Sequence, residues 1–195
     1  MEPTHQLVLV RHGETQWTKT GQHTGRADIA LTSAGRADAE RLRPRLLPIP
    51  FARVWVSPLS RARETCALAG LDAPAEVREA LLEWDYGEYQ GQTLAQVLEG
   101  RPDWDLWKHG CPGGETAAQV GARVDGLLAE LASEPGRVAL FAHGHLLRVL
   151  AARWMGLPAE GGARLALSTA SVSVLGTERG NRVLWTWNDV SHLQR

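Results

Sequence analysis

Cysteine and lysine are both scarce in this 195-residue chain. Its two cysteines, Cys66 and Cys111, are too few for the disulfide framework of a small secreted domain and too few for a thiolate zinc site. They fit a reducing compartment. Only Lys19 and Lys108 are lysines among 21 basic residues, which removes most options for a phosphate-loop lysine or a pyridoxal Schiff base and leaves the cationic work to arginine. Excess charge is absent too. Against 22 acidic residues the formal net is -1, so a broadly basic nucleic-acid surface is not expected. Long apolar runs are missing: stretches such as Val138 to Ala142 fall far short of the ~20 residues that cross a bilayer. The start, Met1-Glu2-Pro3-Thr4-His5, has no cationic segment of a secretory signal. The expectation is a cytoplasmic protein with no membrane partner. Apolar residues at 44% and charged residues at 22% are ordinary for a globular chain, and the length suits a single domain over 1–195.

Leu7-Val8-Leu9-Val10 is a continuous apolar run ending in Arg11-His12-Gly13, the pattern of a buried strand that runs out into a loop. Ser33 to Leu47 has helical spacing, with Pro44 inside it. Val54-Trp55-Val56 is the next strand-like run; Ser57-Pro58 then reads as a cap and first helical position before a helix over Leu59 to Ala69. Glu76-Val77-Arg78 reads as a short strand, and Leu81 to Gly91 as a loop. Glu115 to Ser133 is amphipathic through Val120, Val124, Leu127, Leu128 and Leu131, hence a long helix. Arg137 to Ala142 is a further strand with His143-Gly144-His145 at its exit, followed by a helix over Leu146 to Met155. Two strands, Ala170 to Leu175 and Arg182 to Trp187, flank the turn Arg179-Gly180-Asn181. Alternating strands and helices predict an α/β three-layer sandwich whose mostly parallel central sheet is flanked by helices, with ligands beyond the carboxyl ends of the strands. Two of those exits carry histidine followed by glycine.

A phosphate dianion is held best by planar guanidinium forks and by backbone amides at helix starts, and Arg11 and Arg61 are placed for that task. A neutral imidazole, His12 or His143, can attack phosphorus and divide one displacement into two. The leaving alkoxide needs a proton, for which Glu83, Asp85 and Glu88 stand in one aromatic-rich loop. Reading His143 and His145 as a metal pair lacks a third ligand at convincing spacing. Trp84, Trp104 and Trp107 suit an apolar wall over a sugar or aryl leaving group, and equally suit the core.

Leu9-Val10-Arg11-His12-Gly13-Glu14-Thr15 resembles the signature of the histidine phosphatase superfamily, also called phosphoglycerate mutase-like. Thr24-Gly25, Ser57-Pro58-Leu59-Ser60-Arg61-Ala62 with Thr65, Glu83 with Gly87 and Gly91, Pro112-Gly113-Gly114-Glu115-Thr116 and Ala142-His143-Gly144-His145 follow in the family's order. The resemblance implies His12 as the nucleophile that becomes phosphohistidine, and Arg11, Arg61 and His143 as the rest of the phosphate pocket. It implies Glu83 as proton donor and later base, Thr24 and Gly25 at the substrate, and a further donor from the Gly144 amide. No cofactor or metal is implied. For Glu14, His145 and Arg148 a supporting role is preferred. The chain resembles the branch of small acid phosphatases and sedoheptulose bisphosphatase, so the expected substrate is a small phosphorylated metabolite such as a sugar phosphate. A second cation for a bisphosphate would come from Arg26, Lys108, His109 or His23. Thr18 after Trp17, and the lack of an arginine- and proline-rich segment after Gly91, separate it from phosphoglycerate mutases and favour hydrolysis. A cofactor-dependent mutase is the alternative, and a non-catalytic phospho-ligand domain the third reading. An acidic optimum is expected, and a homodimer is compatible with the family.

Overall fold

The computed structural model describes residues 5–73 and 75–193; the first four residues, on which the expectation about a signal sequence rests, lie outside them. Four strands run parallel: β1 (His5–Arg11), β2 (Phe51–Val56), β3 (Ala75–Val77) and β4 (Gly136–Ala142). An antiparallel pair, β5 (Val172–Glu178) and β6 (Asn181–Asp189), completes a six-stranded sheet of order β3-β2-β4-β1-β5-β6. In chain order the helices are α1 (Gln16–Thr20), α2 (Ser33–Arg41), α3 (Arg43–Leu46), α4 (Ser60–Leu68), α5 (Leu94–Gly100), α6 (Leu106–His109), α7 (Ala117–Leu131) and α8 (Gly144–Trp154).

The central strands bury both faces, which is why they read as unbroken apolar runs. Side chains alternate across a strand. Leu7, Leu9, Val138 and Leu140 therefore join Val120, Val124, Leu127 and Leu150 from α7 and α8 in one core. Val8, Val10, Ala139 and Phe141 meet Leu42, Leu46, Ala62 and Cys66 from the other helix layer in a second core. The two cores and the sheet between them are the three layers. Each core residue named here is at most 2% exposed, so each contributes roughly 1.5 to 3 kcal/mol if it is one of the larger aliphatics or Phe141.

Some boundaries differ from the sequence expectation. The segment from Ser33 to Leu47 divides at Leu42, because Pro44 in the first turn of α3 cannot supply the amide that would continue α2. Ser57 and Pro58 lie outside α4, whose N-cap is Leu59 without a side-chain bond. The Asp28 carboxylate serves instead, accepting from the Ser60 amide at 2.8 Å and its hydroxyl at 2.7 Å. Helices α1, α5 and α6 are additional elements of five, seven and four residues. They start at Thr15, Thr93 and Asp105, whose side chains cap the first turn. Among the described residues no helix is long and apolar enough to cross a membrane.

Candidate active site

Hydrogen bonding continues past the ends of the central strands and holds their exits together. The His12 amide donates to the Ala142 carbonyl and the Ser57 amide to the Phe141 carbonyl, each at 3.0 Å. The exits of β1, β2 and β4 thus deliver His12, Ser57 and His143 to one edge of the sheet. A cavity of about 200 Å³ opens there. Of the residues expected at the site, Arg11, His12, Thr24, Arg61, Glu83 and Gly144 line it.

His12 is 3% exposed, and its Nδ1 lies 2.7 Å from the carbonyl of Gly13. A carbonyl only accepts, so Nδ1 carries the proton and Nε2 keeps its lone pair. Burial, reinforced by the positive fields of Arg61 and Arg11, holds the imidazole well below the usual histidine range. It is neutral and nucleophilic at neutral pH. The loop behind it is braced. The Gly13 amide donates to Thr65 Oγ1 at 3.0 Å, and Thr32 Oγ1 donates to the Glu14 carboxylate at 2.8 Å.

His143 does not reach the cavity wall. It packs beneath His12, ring centroids 5.2 Å apart, with Nε2 at 2.7 Å from Ser57 Oγ and a buried Nδ1 that has no partner in the protein. Burial first, then Arg61 and His12, lowers its pKa well below the ordinary value. Ser57 is fully buried and acts as the tether of His143, not as a helix cap.

Both arginines lie among carbonyls, Arg61 fully buried and Arg11 partly. Arg11 donates through Nη1 to the Leu167 carbonyl. Arg61 donates to the carbonyls of Ala27 at 2.7 Å and Gly25 at 2.8 Å, fastening the loop that carries Thr24. Each keeps a buried Nε without a partner in the protein. Gly25 sits behind this wall, and its φ of +54° is a backbone conformation that favours glycine. Gly144 is needed for another reason: a Cβ there would stand 3.2 to 3.5 Å from the guanidinium of Arg11.

Glu83 alone of the three acids of its loop is buried in the cavity wall. Its Oε1 accepts from the Trp84 and Leu146 amides at 2.9 Å, and its Oε2 from the His145 amide at 3.2 Å. The start of α8 therefore orients this carboxyl, with Oε2 the less engaged oxygen. Asp85 accepts from the Gly87 amide at 3.0 Å and pairs with Arg26 at 3.3 Å, and Glu88 is exposed.

The cavity also takes in Tyr86, which the sequence reading did not single out, and His145 and Arg148, for which it preferred a supporting role. Tyr86 and His145 line it in mutual hydrogen-bond contact through Oη and Nδ1. Arg148 lines it as well, bonded to the carbonyls of Gly162 and Ala163 and lying 4.8 Å from the Trp107 ring centroid. His145 and Arg148 thus stand on the wall, whereas Glu14 braces from behind. Burial, followed by Arg148 and Arg11, lowers the His145 pKa well below the ordinary value. Of the candidates for a second cation, His23 lines the cavity, Arg26 is shared between Asp85 and Glu115, and Lys108 and His109 lie away from it. Trp84 is core, fully buried with its indole N–H donating to the Glu115 carbonyl at 2.8 Å. His143 and His145 are committed to Ser57 and Tyr86, and no cluster of three metal-binding side chains occurs among the described residues.

Comparison with known proteins places this arrangement. Residues 7–190 match the model of the histidine phosphatase superfamily, branch 1. An acid phosphatase of Mycobacterium tuberculosis is 43% identical over 194 residues, covering 97% of this chain and 95% of its own length. Sedoheptulose 1,7-bisphosphatase of Saccharomyces cerevisiae is 33% identical over 186 residues, covering 79% of this chain and 69% of its own. A solved structure of a Mycobacterium tuberculosis open-reading-frame product superposes with a TM-score of 0.88 at 42% identity, covering 94% of this chain and 97% of that one.

Proposed function

The chain belongs to the histidine phosphatase superfamily and is a phosphatase acting on phosphorylated metabolites, and from that premise we propose that it hydrolyses phosphoric monoesters through a phosphohistidine on His12. The observation that carries this reading is the single tautomer of His12, with Nδ1–H held by the Gly13 carbonyl and the Nε2 lone pair left for phosphorus. Arg11, Arg61 and the Gly144 amide hold the phosphoryl oxygens, Thr24 and Gly25 border them, and His143 supports the nucleophile from below. Their charge meets the equatorial oxygens where charge spreads in the transition state.

In the first half-reaction the Nε2 lone pair bonds to phosphorus as the bond to the ester oxygen breaks. Glu83 gives its proton to the departing alkoxide. In the second, Glu83 takes a proton from water, the water oxygen bonds to phosphorus, and the P–N bond returns its electrons to Nε2. Inorganic phosphate leaves, with Glu83 protonated again. No metal or cofactor is required by these steps. Because His12 stays unprotonated well below pH 6.5, mild acid leaves the nucleophile intact, which supports an acidic optimum.

The likeness to sedoheptulose 1,7-bisphosphatase supports a sugar ester as substrate. We read the whole chain as one catalytic domain working in the cytoplasm. The test is hydrolysis of p-nitrophenyl phosphate with EDTA present. Wild-type turnover is expected to survive chelation, and His12→Ala to lower it more than ~1,000-fold. Turnover that persists in His12→Ala, or stops with EDTA, overturns the mechanism. Interconversion of phosphoglycerates without release of phosphate would instead identify a mutase.

A further inference from the structure

A second compartment, of about 380 Å³, adjoins the phosphate cavity. His23 and His145 belong to the walls of both, so the two spaces meet at these rings. Beyond them the second compartment is lined by Trp104, Trp107, Leu94 and Leu106. Leu94 is 52% exposed although it faces a concave site.

The chemistry of this wall is narrow. Trp104 meets Tyr89 and His23 edge-to-face at centroid distances of 5.1 and 5.5 Å; Trp107 meets Trp84 edge-to-face at 5.5 Å and His145 in a tilted contact at 5.4 Å. Trp104 and Leu106 are buried and back the compartment, whereas Trp107 is only partly buried and leaves ring surface for one more ring. The one formal charge on this wall is the carboxylate of Asp105, which caps α6 by accepting from the Trp107 and Lys108 amides. An anionic group here would meet that carboxylate and find no cation on the wall. His23 and His145 are both held toward their neutral forms by burial.

We propose that this compartment is the leaving-group subsite, and that it selects phosphomonoesters whose alcohol, a sugar included, carries an uncharged aromatic ring. The inference rests on the phosphomonoesterase reading above and narrows it to a substrate class. Trp107 and Leu94 are specificity determinants in this scheme, with Trp104 behind them, and His145 marks the boundary at which the ester oxygen enters from the phosphate side.

Aryl esters are a poor test because their alcohols leave more readily whatever the pocket. A clean comparison is 3-phenylpropyl phosphate against propyl phosphate, whose alcohols differ little in acidity. Burial of the phenyl ring in an open-sided compartment is expected to raise kcat/KM about tenfold over the propyl ester. Leu94→Ser, at a half-exposed position with little influence on folding, should reduce that ratio about threefold, and Trp107→Ala should reduce it further. A ratio near one in the wild type overturns the inference, as does a ratio unmoved by both substitutions. Hydrolysis of propyl phosphate with no phenyl preference would leave the phosphatase reading standing and remove only the subsite. Failure to hydrolyse either ester or p-nitrophenyl phosphate would remove both.

Discussion

Lowering the pH from 7.5 to 5.5 is expected to destabilise the folded state through His12, His143 and His145, by up to about 4 kcal/mol if all three rings stay neutral in the fold. Burial is the leading reason that all three rings are held well below the ordinary histidine pKa in the fold, while in the unfolded chain they titrate near ~6.5. The unfolded state therefore binds the extra protons. Stability is full above about pH 7.5, falls as the pH drops through ~6.5, and keeps falling until the folded rings themselves accept protons. While its folded ring stays neutral, each group removes RT ln(1 + 10^(6.5 − pH)), which is at most ~0.1 kcal/mol at pH 7.5, ~0.4 at pH 6.5 and ~1.4 at pH 5.5. Against a total of ~5 to 15 kcal/mol for a domain, the loss is large. His23 and His192 shift in the same direction with less burial and add a smaller amount. Urea unfolding at pH 7.5, 6.5 and 5.5 measures the dependence, and His145→Gln, which removes one titrating ring, should flatten it by about one third. Midpoints that stay level across this range at constant m, or a slope that His145→Gln leaves intact, would refute the reasoning.

Two further outcomes follow from the site geometry. In long-range 1H–15N spectra at pH 6 His12 should be neutral and protonated on Nδ1, the less common tautomer in free imidazole; an Nε2–H or a doubly protonated ring would contradict the role given to the Gly13 carbonyl. Gly144→Ala should lower kcat/KM by about tenfold or more with a Tm change of only a few degrees, because the added methyl pushes a few tenths of an ångström on Arg11 and leaves the core untouched; unchanged kinetics would show that the guanidinium position is not critical.

The layers and the strand exits were legible because they rest on contiguous residues. Leu7 to Val10 and Val138 to Ala142 are buried on both faces and read as strands without any tertiary knowledge, and their exits carry Arg11-His12-Gly13 and His143-Gly144-His145 in plain order. Short elements were not legible. Four residues of α6 hold no helical period, and only the caps at Thr15, Thr93 and Asp105 mark such helices in the sequence. Ser57 shows how one motif admits two uses: serine before proline is a sound cap signal, but here the strand exit turns its hydroxyl toward His143. Leu167 carries no signal at all, since its part is played by a backbone carbonyl beneath Arg11. His145 stood in a recognised motif and Tyr86 in the aromatic-rich loop after Glu83, yet their contact spans 59 positions, a pairing that local patterning does not encode.

The position of β1 has a consequence for how the protein is made. The strand that carries Arg11 into the site leaves the ribosome well before its sheet neighbours β4 and β5, with Leu7 pairing Val138 on one side and Leu175 on the other. Between Leu7 and Val138 lie 131 positions of synthesis (138 − 7). At ~5 to 20 residues per second, an apolar strand without edge protection waits roughly 7 to 26 s for its first partner. Nascent-chain aggregation and chaperone capture should therefore concentrate on that strand, and phosphate release should appear only after the last hairpin has docked and brought the Leu167 carbonyl beneath Arg11. The onset of activity during translation would thus serve as a clock for closure of the sheet.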